Sequence, residues 1–270
     1  MWIDTHVHFD APEFAATRTD DWARARDLGV SAQIVPAVMP ANFEVVRDMA
    51  QTHPNTFYAL GIHPMYVMGL PREASIELLR AAVMRSMDDP KLVAIGEIGL
   101  DGFVQNLDWD TQVWFLREQL KIAREFDLPV LLHVRRSVDM VSKYLREFDI
   151  HSGIAHAFNG SFVQAQIYIE LGFHLGFGGT STFERARQIR RLASELPLSA
   201  IVIETDAPDI PPDWLGTDAH NYSYHLPRIA QNLADLRGLS IEALSPLLWQ
   251  NSLRAVPRLA QVLPADILGA

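Results

Sequence analysis

Eight apolar runs set the frame for what this chain can fold into: residues 2–5, 32–38, 56–61, 92–97, 129–133, 153–156, 173–177 and 200–204. They are continuously apolar rather than alternating, which suits parallel strands covered on both faces. Segments of helical period lie between them. Residues 111–126 are the clearest, with Val113, Leu116, Leu120 and Ala123 on one stripe, Asp110 as N-cap and Pro129 beyond the end. Further helices are expected over 20–28, 43–51, 72–87, 138–147, 162–171, 185–196, 224–237 and 241–259. Eight strands alternating with helices within 270 residues is the pattern of a TIM (β/α)8 barrel, one domain over residues 1–270. A doubly wound open sheet is the rival, but no Gly-rich dinucleotide fingerprint follows the first run. No Gly/Ser linker, low-complexity tract or internal repeat offers a domain boundary.

A barrel gathers its chemistry at the C-terminal ends of its strands. The first run leads into His6 and His8, and strand residues two apart point to the same face. Two such imidazoles can reach one metal ion, although an isolated pair is more often a surface feature. Here they are not isolated. His63 follows the third run, Glu97 ends the fourth, His133 the fifth and His156 the sixth, and the eighth leads to Asp206. Any one of these alone is more often structural than functional. Five strands each leading to a nitrogen or carboxylate ligand is hard to obtain by chance. His6, His8, His133 and His156 with Glu97 and Asp206 exceed what one tetrahedral zinc with an open position needs, and suit a two-metal site. Arg135, just beyond His133, is placed to meet a phosphate, whereas Arg136 reads equally as a solvated charge. The 159–161 loop offers either backbone donors to an anion or a plain turn and helix cap.

Composition bounds the partners. The formal net charge of −10 argues against tight non-specific binding to a nucleic-acid backbone. It leaves nucleic acid open as a substrate, because metal ions supply local positive charge. There are no cysteines, so disulfides and thiolate ligands are excluded and a reducing cytoplasm is the expected compartment. The first strand begins at the N-terminus, leaving no room for a signal peptide, and no apolar run approaches a membrane span. No obligatory protein partner is evident.

Six motifs, in order, carry a resemblance: Ile3-Asp4-Thr5-His6-Val7-His8-Phe9-Asp10, Gly61-Ile62-His63-Pro64, Gly96-Glu97-Ile98-Gly99-Leu100-Asp101, Leu128-Pro129-Val130-Leu131-Leu132-His133, Ala155-His156-Ala157-Phe158-Asn159-Gly160 and Ile203-Glu204-Thr205-Asp206-Ala207-Pro208. Together they resemble the TatD family of metal-dependent hydrolases, within the amidohydrolase superfamily of TIM barrels. Gly178-Gly179-Thr180 and Asp206-Ala207-Pro208-Asp209 are similar to its YjjV-type subgroup in particular. The resemblance implies two divalent ions (Zn, Mg or Mn), one held by His6, His8 and Asp206, the other by His133 and His156, with Glu97 bridging. It implies a metal-activated hydroxide, with Asp206 accepting its proton, and contact of His63 with a substrate phosphate or leaving group. Family members often carry a second histidine two positions after His63, where this chain has Met65. Asp4, Asp101 and Glu204, beside ligands, are expected to orient them by hydrogen bonds. The implied activity is a phosphodiesterase acting on DNA, a deoxyribonuclease of 3′–5′ exonuclease type. An amidohydrolase or esterase acting on a small molecule, or a D-aminoacyl-tRNA deacylase, is the enzymatic rival. A metal-holding barrel without turnover is the rival from another class.

Overall fold

The computed structural model describes residues 1–216 and 218–263; the expected domain span of 1–270 reaches beyond them. Its strands are β1 (Trp2–Asp4), β2 (Val30–Pro36), β3 (Thr56–Leu60), β4 (Leu92–Asp101), β5 (Val130–Arg135), β6 (Gly153–Ala155), β7 (Phe173–Phe177) and β8 (Ile201–Ile203). They form one 8-stranded sheet in sequence order, and every paired neighbour is parallel. The connections carry helices α1 (Arg18–Asp27), α2 (Phe43–Thr52), α3 (Arg72–Ser86), α4 (Trp109–Glu125), α5 (Val138–Glu147), α6 (Phe162–Glu170), α7 (Arg187–Glu195) and α8 (Leu226–Arg237), with α9 (Ile241–Ala255) last. The expected (β/α)8 barrel is the fold.

The seam between the last strand and the first closes with single backbone bonds. Thr5 N–H donates to Ile203 C=O at 3.3 Å, Asp206 N–H to His6 C=O at 2.9 Å, and His8 N–H to Ala207 C=O at 2.8 Å. Asp4 reinforces the closure: its carboxylate accepts from Thr205 N–H (2.9 Å), Thr205 Oγ1 (2.7 Å) and Ser223 Oγ (2.7 Å). Asp4, expected to orient a ligand through hydrogen bonds, does so for Asp206. It fixes the backbone from which Asp206 projects. Burial pushes its carboxyl up to about 6, against the hydrogen bonds that favour the anion.

Two packed layers follow from the period-2 alternation of the strands. One apolar cluster joins outward strand residues such as Val35, Tyr58, Leu132 and Ile203 to the helices. The other fills the barrel floor with Ile3, Ile34, Phe57, Leu131, Ile154 and Val202, and is plugged by Trp249 and Leu253 of α9. The helix expected over 241–259 stops early, at Ala255, and a 3-10 turn follows at Pro257–Gln261. Pro257 has no N–H to donate and forces the preceding Val256 out of the helical region, to φ −134° and ψ 79°. The N-cap of α4 is Asp108, which accepts from Asp110 N–H at 3.2 Å, rather than Asp110 itself. Ser161 caps α6 in a reciprocal box with Gln164, so the 159–161 loop is a turn and cap.

Candidate metal centre

Alternation along β5 and β6 turns the apolar floor into a polar mouth within one pleat. On β5 the inward side chain after Leu131 is His133, and beyond β6 the position after Ile154 is His156. Glu97 needs a special device. Its neighbour two residues back, Ile95, packs in the outer cluster, so strict alternation would send Glu97 outward too. The β4–β5 register shifts between Ile95 and Ile98, and this extra residue turns the carboxylate to the barrel axis. Gly96 permits the close approach, since a Cβ there would lie 2.6 Å from Leu131 Cβ.

Glu97 is the hub. It is 1% exposed, and its two oxygens face different histidines. Oε2 lies 3.1 Å from His6 Nε2 and 3.5 Å from His8 Nε2. Oε1 lies 2.7 Å from His156 Nε2, 3.0 Å from His133 Nδ1 and 3.2 Å from His63 Nε2. Asp206 approaches from β8, with Oδ1 3.6 Å from His8 Nε2 and 3.7 Å from His6 Nε2. Three sets of ligand atoms, each within 4.8 Å of one another, could hold a metal ion: His6, His8 and Glu97; His6, His156 and Asp206; and His63, Glu97 and His133. All six side chains expected as ligands thus converge at one mouth, as does His63. Arg135 lies one step out, 4.0 Å from Asp101 Oδ2 and exposed.

Protonation in this cluster follows from burial and like-charge repulsion. His6 is fully buried and stacks on His156 at 3.9 Å, so both cannot be cations. Burial and the His156 charge hold His6 neutral, down to about 3. Burial works against protonation of His156 as well, but Glu97 and Asp206 beside it prevail and push it up to about 10. Burial pushes the Glu97 carboxyl up, yet His63 and His156 beside it and the His133 hydrogen bond outweigh it and hold Glu97 well below the carboxylate range. Asp206 is raised by burial.

The supporting hydrogen bonds discriminate between histidines. His133 presents Nδ1 to Glu97 and Nε2 to Asp101 Oδ2 at 2.9 Å. Asp101 thus makes the orienting contact expected of it, fixing which nitrogen faces the centre. His63 Nδ1 accepts from Met65 N–H at 3.2 Å, leaving Nε2 as the protonated nitrogen that points inward. A donor at that position serves a bound anion better than it serves a cation. Glu204 accepts from Ala157 N–H and has Oε1 3.9 Å from His156 Nδ1. Its room comes from Gly176, where a Cβ would sit 2.2 Å from Glu204 Oε2.

Two contributors escaped the sequence reading. Gln119 of α4 pairs with the Ile62 backbone in both directions, accepting at 2.7 Å and donating at 3.0 Å, beside His63. Gln112, two turns earlier, does the same for Asp101, at 2.7 Å and 3.2 Å. Their signal was a pair of amides seven residues apart flanking the apolar stripe of a helix, and both are 1% exposed.

An eight-stranded parallel barrel with a buried His/Glu/Asp cluster at its C-terminal mouth defines the class of metal-dependent TIM-barrel hydrolases. The chain belongs to the TatD family: the family described as TatD related DNase matches residues 3–257. It is 41% identical over 211 residues to the metal-dependent hydrolase YjjV of Escherichia coli K12, covering 78% of this chain and 80% of that protein. The crystal structure of YjjV, a TatD homologue from the same organism, superposes with a TM-score of 0.89 at 37% identity, covering 95% of this chain and 98% of the other. The chain is also 30% identical over 266 residues to a 3′-5′ ssDNA/RNA exonuclease TatD of Pantoea sp., covering 96% and 100% of the two chains. It is a metal-dependent hydrolase of this family. Among the described residues no helix is long and apolar enough to cross a membrane.

Proposed function

We propose that the chain is a two-metal phosphodiesterase acting on DNA from the 3′ end. The observation that carries the two-ion reading is the split of Glu97, whose Oε2 faces His6 and His8 while Oε1 faces His133 and His156. A carboxylate between two nitrogen sets offsets the repulsion between two dications and fixes their spacing. The donor set fits divalent cations. It is all imidazole nitrogen and carboxylate oxygen, and two of its buried carboxyls need positive charge near them. His6, His8 and Asp206 would hold one ion, His133 and His156 the other, with Glu97 shared. Such ions, when bound, lower the pKa of water and polarise a phosphoryl oxygen.

The chain's own groups then have separate tasks. Asp206, at the edge of the cluster with Oδ1 3.6 Å from His8 Nε2, is the base that takes the proton from attacking water. His63 offers Nε2–H, and Arg135 its guanidinium, to the non-bridging phosphate oxygens. Asp101 keeps His133 facing inward. Kinship with a 3′-5′ ssDNA/RNA exonuclease favours a nucleic-acid phosphodiester over a small-molecule ester.

The test is to strip the protein of metal, reload it with Mg, Mn or Zn, and offer single-stranded DNA, a phosphodiester chromogen and an aminoacyl ester. Metal-restored shortening of DNA from its 3′ end is the expected result. Turnover of the aminoacyl ester with no DNA cleavage under any metal would replace the nuclease by a deacylase or esterase.

A further inference from the structure

One sector of the mouth exposes apolar surface that a barrel rim does not need. Met65 and Tyr66 after β3 are 42% and 45% exposed, Met68 is 46% exposed, and Phe103 after β4 is 45% exposed. Single exposed apolar side chains are ordinary; a group of them, two aromatic, beside a buried polar cluster is not. The Tyr66 ring stands 5.9 Å from that of His63, whose ring is 4.4 Å from His133. Met68 Sδ accepts from Asp108 N–H at 3.5 Å, which joins the loop after β3 to the loop that carries Phe103.

Phe103 also gathers positive charge. The Arg135 guanidinium carbon lies 3.8 Å from its ring centroid and that of Arg136 4.6 Å. Arg136 has no ion-pair partner among the described residues. The carboxylate oxygen nearest Arg135, Asp101 Oδ2 at 4.0 Å, is already engaged by His133 at 2.9 Å. In a chain of net charge −10, two arginines held over one exposed ring are oriented for an outside anion.

The platform is rigid and tied to the centre. Asp101 Oδ1 accepts from Phe103 N–H (2.7 Å) and Val104 N–H (2.8 Å). Gly102 N–H donates to Arg135 C=O at 2.8 Å, and Ser137 Oγ to Leu100 C=O at 2.6 Å. The same Asp101 side chain that holds the Phe103 loop holds His133, so ring and centre are linked through one carboxylate. Sequence-tolerant single-strand sites combine aromatic rings with guanidinium groups; here both arginines lie over the ring in the free chain, so a base takes the ring face as a guanidinium turns from it to the phosphate.

We infer that Phe103, with Arg135 and Arg136, forms a base-stacking subsite for a nucleotide next to the scissile phosphate of a single strand. This deepens, and rests on, the phosphodiesterase reading above. Phe103 is a positioning and specificity element; it touches a base, not the reacting phosphorus.

The experiment uses the metal-loaded full chain and single-stranded 12-nucleotide DNAs, normal or with one abasic residue stepped inward from the 3′ end. In the wild type, removing the base at one position is expected to lower kcat/KM by roughly tenfold, the scale of one base–aromatic stack. Phe103→Ala should lose the same factor on the normal strand, mostly in KM, and show no further loss on the abasic strand. Phe103→Leu, which keeps bulk but no π face, should behave like Phe103→Ala, and Phe103→Trp should restore the wild-type pattern. A wild-type kcat/KM in Phe103→Leu, or an abasic penalty that persists in it, would overturn the subsite alone. If the wild type cleaves no strand with any metal yet turns over a phosphodiester chromogen, the nuclease reading falls and the subsite with it.

Discussion

The two ends of the same barrel solve opposite problems with the same eight strands. The floor buries Ile3, Ile34, Phe57, Leu131, Ile154 and Val202 against Trp249 and Leu253 of α9. One pleat further along, the inward positions hold His6, Glu97, His133, His156, Glu204 and Asp206, most of them equally buried. The floor gains hydrophobic free energy from every side chain. The mouth stacks two imidazoles at 3.9 Å, keeps a carboxylate amid five histidines, and leaves His6 Nδ1, His156 Nδ1 and Glu204 Oε2 buried with no hydrogen-bond partner. Such an arrangement costs stability and is retained for what it binds. The division predicts that damage at the mouth removes activity and spares the fold, whereas damage at the floor does the reverse.

The sharpest way to break that division is Glu97→Gln. Activity should fall at least about a thousandfold, the scale of losing one strong charge-stabilising group in an enclosed site, while circular dichroism stays native. A Glu97→Gln variant with native turnover would refute the hub role. The mirror experiment is Trp249→Ala, which opens a cavity under the barrel and should cost about 3–5 kcal/mol. At 2–4 °C per kcal/mol for a chain of this size, the thermal midpoint should drop by roughly 10 °C. Turnover per folded molecule at low temperature should stay near wild type; a large loss there would show that floor and mouth are coupled.

The strands were legible in sequence because each continuous apolar run declares itself within a few residues, and the run ends then show which side-chain types gather at the mouth. The contacts that complete the mouth were not, because their partners are distant in sequence. Asp4 closes the seam onto Thr205 and Ser223 across 201 and 219 positions. Gln112 and Gln119 look like ordinary helical polar residues until the strand ends they clamp are known. Glu97 was legible as a ligand type, but its inward direction depends on a register shift that no pattern of apolar residues announces. Phe103 sits in a loop, where neither periodicity nor motif assigns a side chain a direction.

Metal removal probes the mouth more gently. If the cluster is retained for its ions, chelation should lower the thermal midpoint of the wild type. Cation at about a hundred times its Kd should return about 2.7 kcal/mol. Glu97→Gln should show little of this difference, and an equal cation response in both would place the ion elsewhere. Asp101→Asn tests the outer support of the same site. It keeps a polar partner for His133 but removes the charge that holds its ring, and should weaken metal affinity or activity about 10–100-fold. Loss confined to thermal stability, with metal affinity unchanged, would reduce Asp101 to a loop fastener.

The smallest expected effect comes from a place where the floor breaks its own rule. His174 on β7 pairs with the inward-facing Ile154 and shares its face with Gly176, so an imidazole stands in the apolar layer. Burial and the nearby Arg254 charge push it down to about 4, and its Nδ1 is buried with no partner. A base whose folded pKa lies below its unfolded value of 6.5 favours the native state only while neutral. Its contribution is therefore complete above about pH 6.5 and is lost as the pH falls toward 4, because the unfolded chain takes up the proton first. His174→Gln removes that titration. In the metal-loaded protein its denaturation midpoint should fall less steeply than the wild type's between pH 6.5 and 4, with turnover at pH 7.5 unchanged. Parallel pH curves for the two proteins would mean that the acid sensitivity resides wholly at the mouth, and the floor would then have no titrating member.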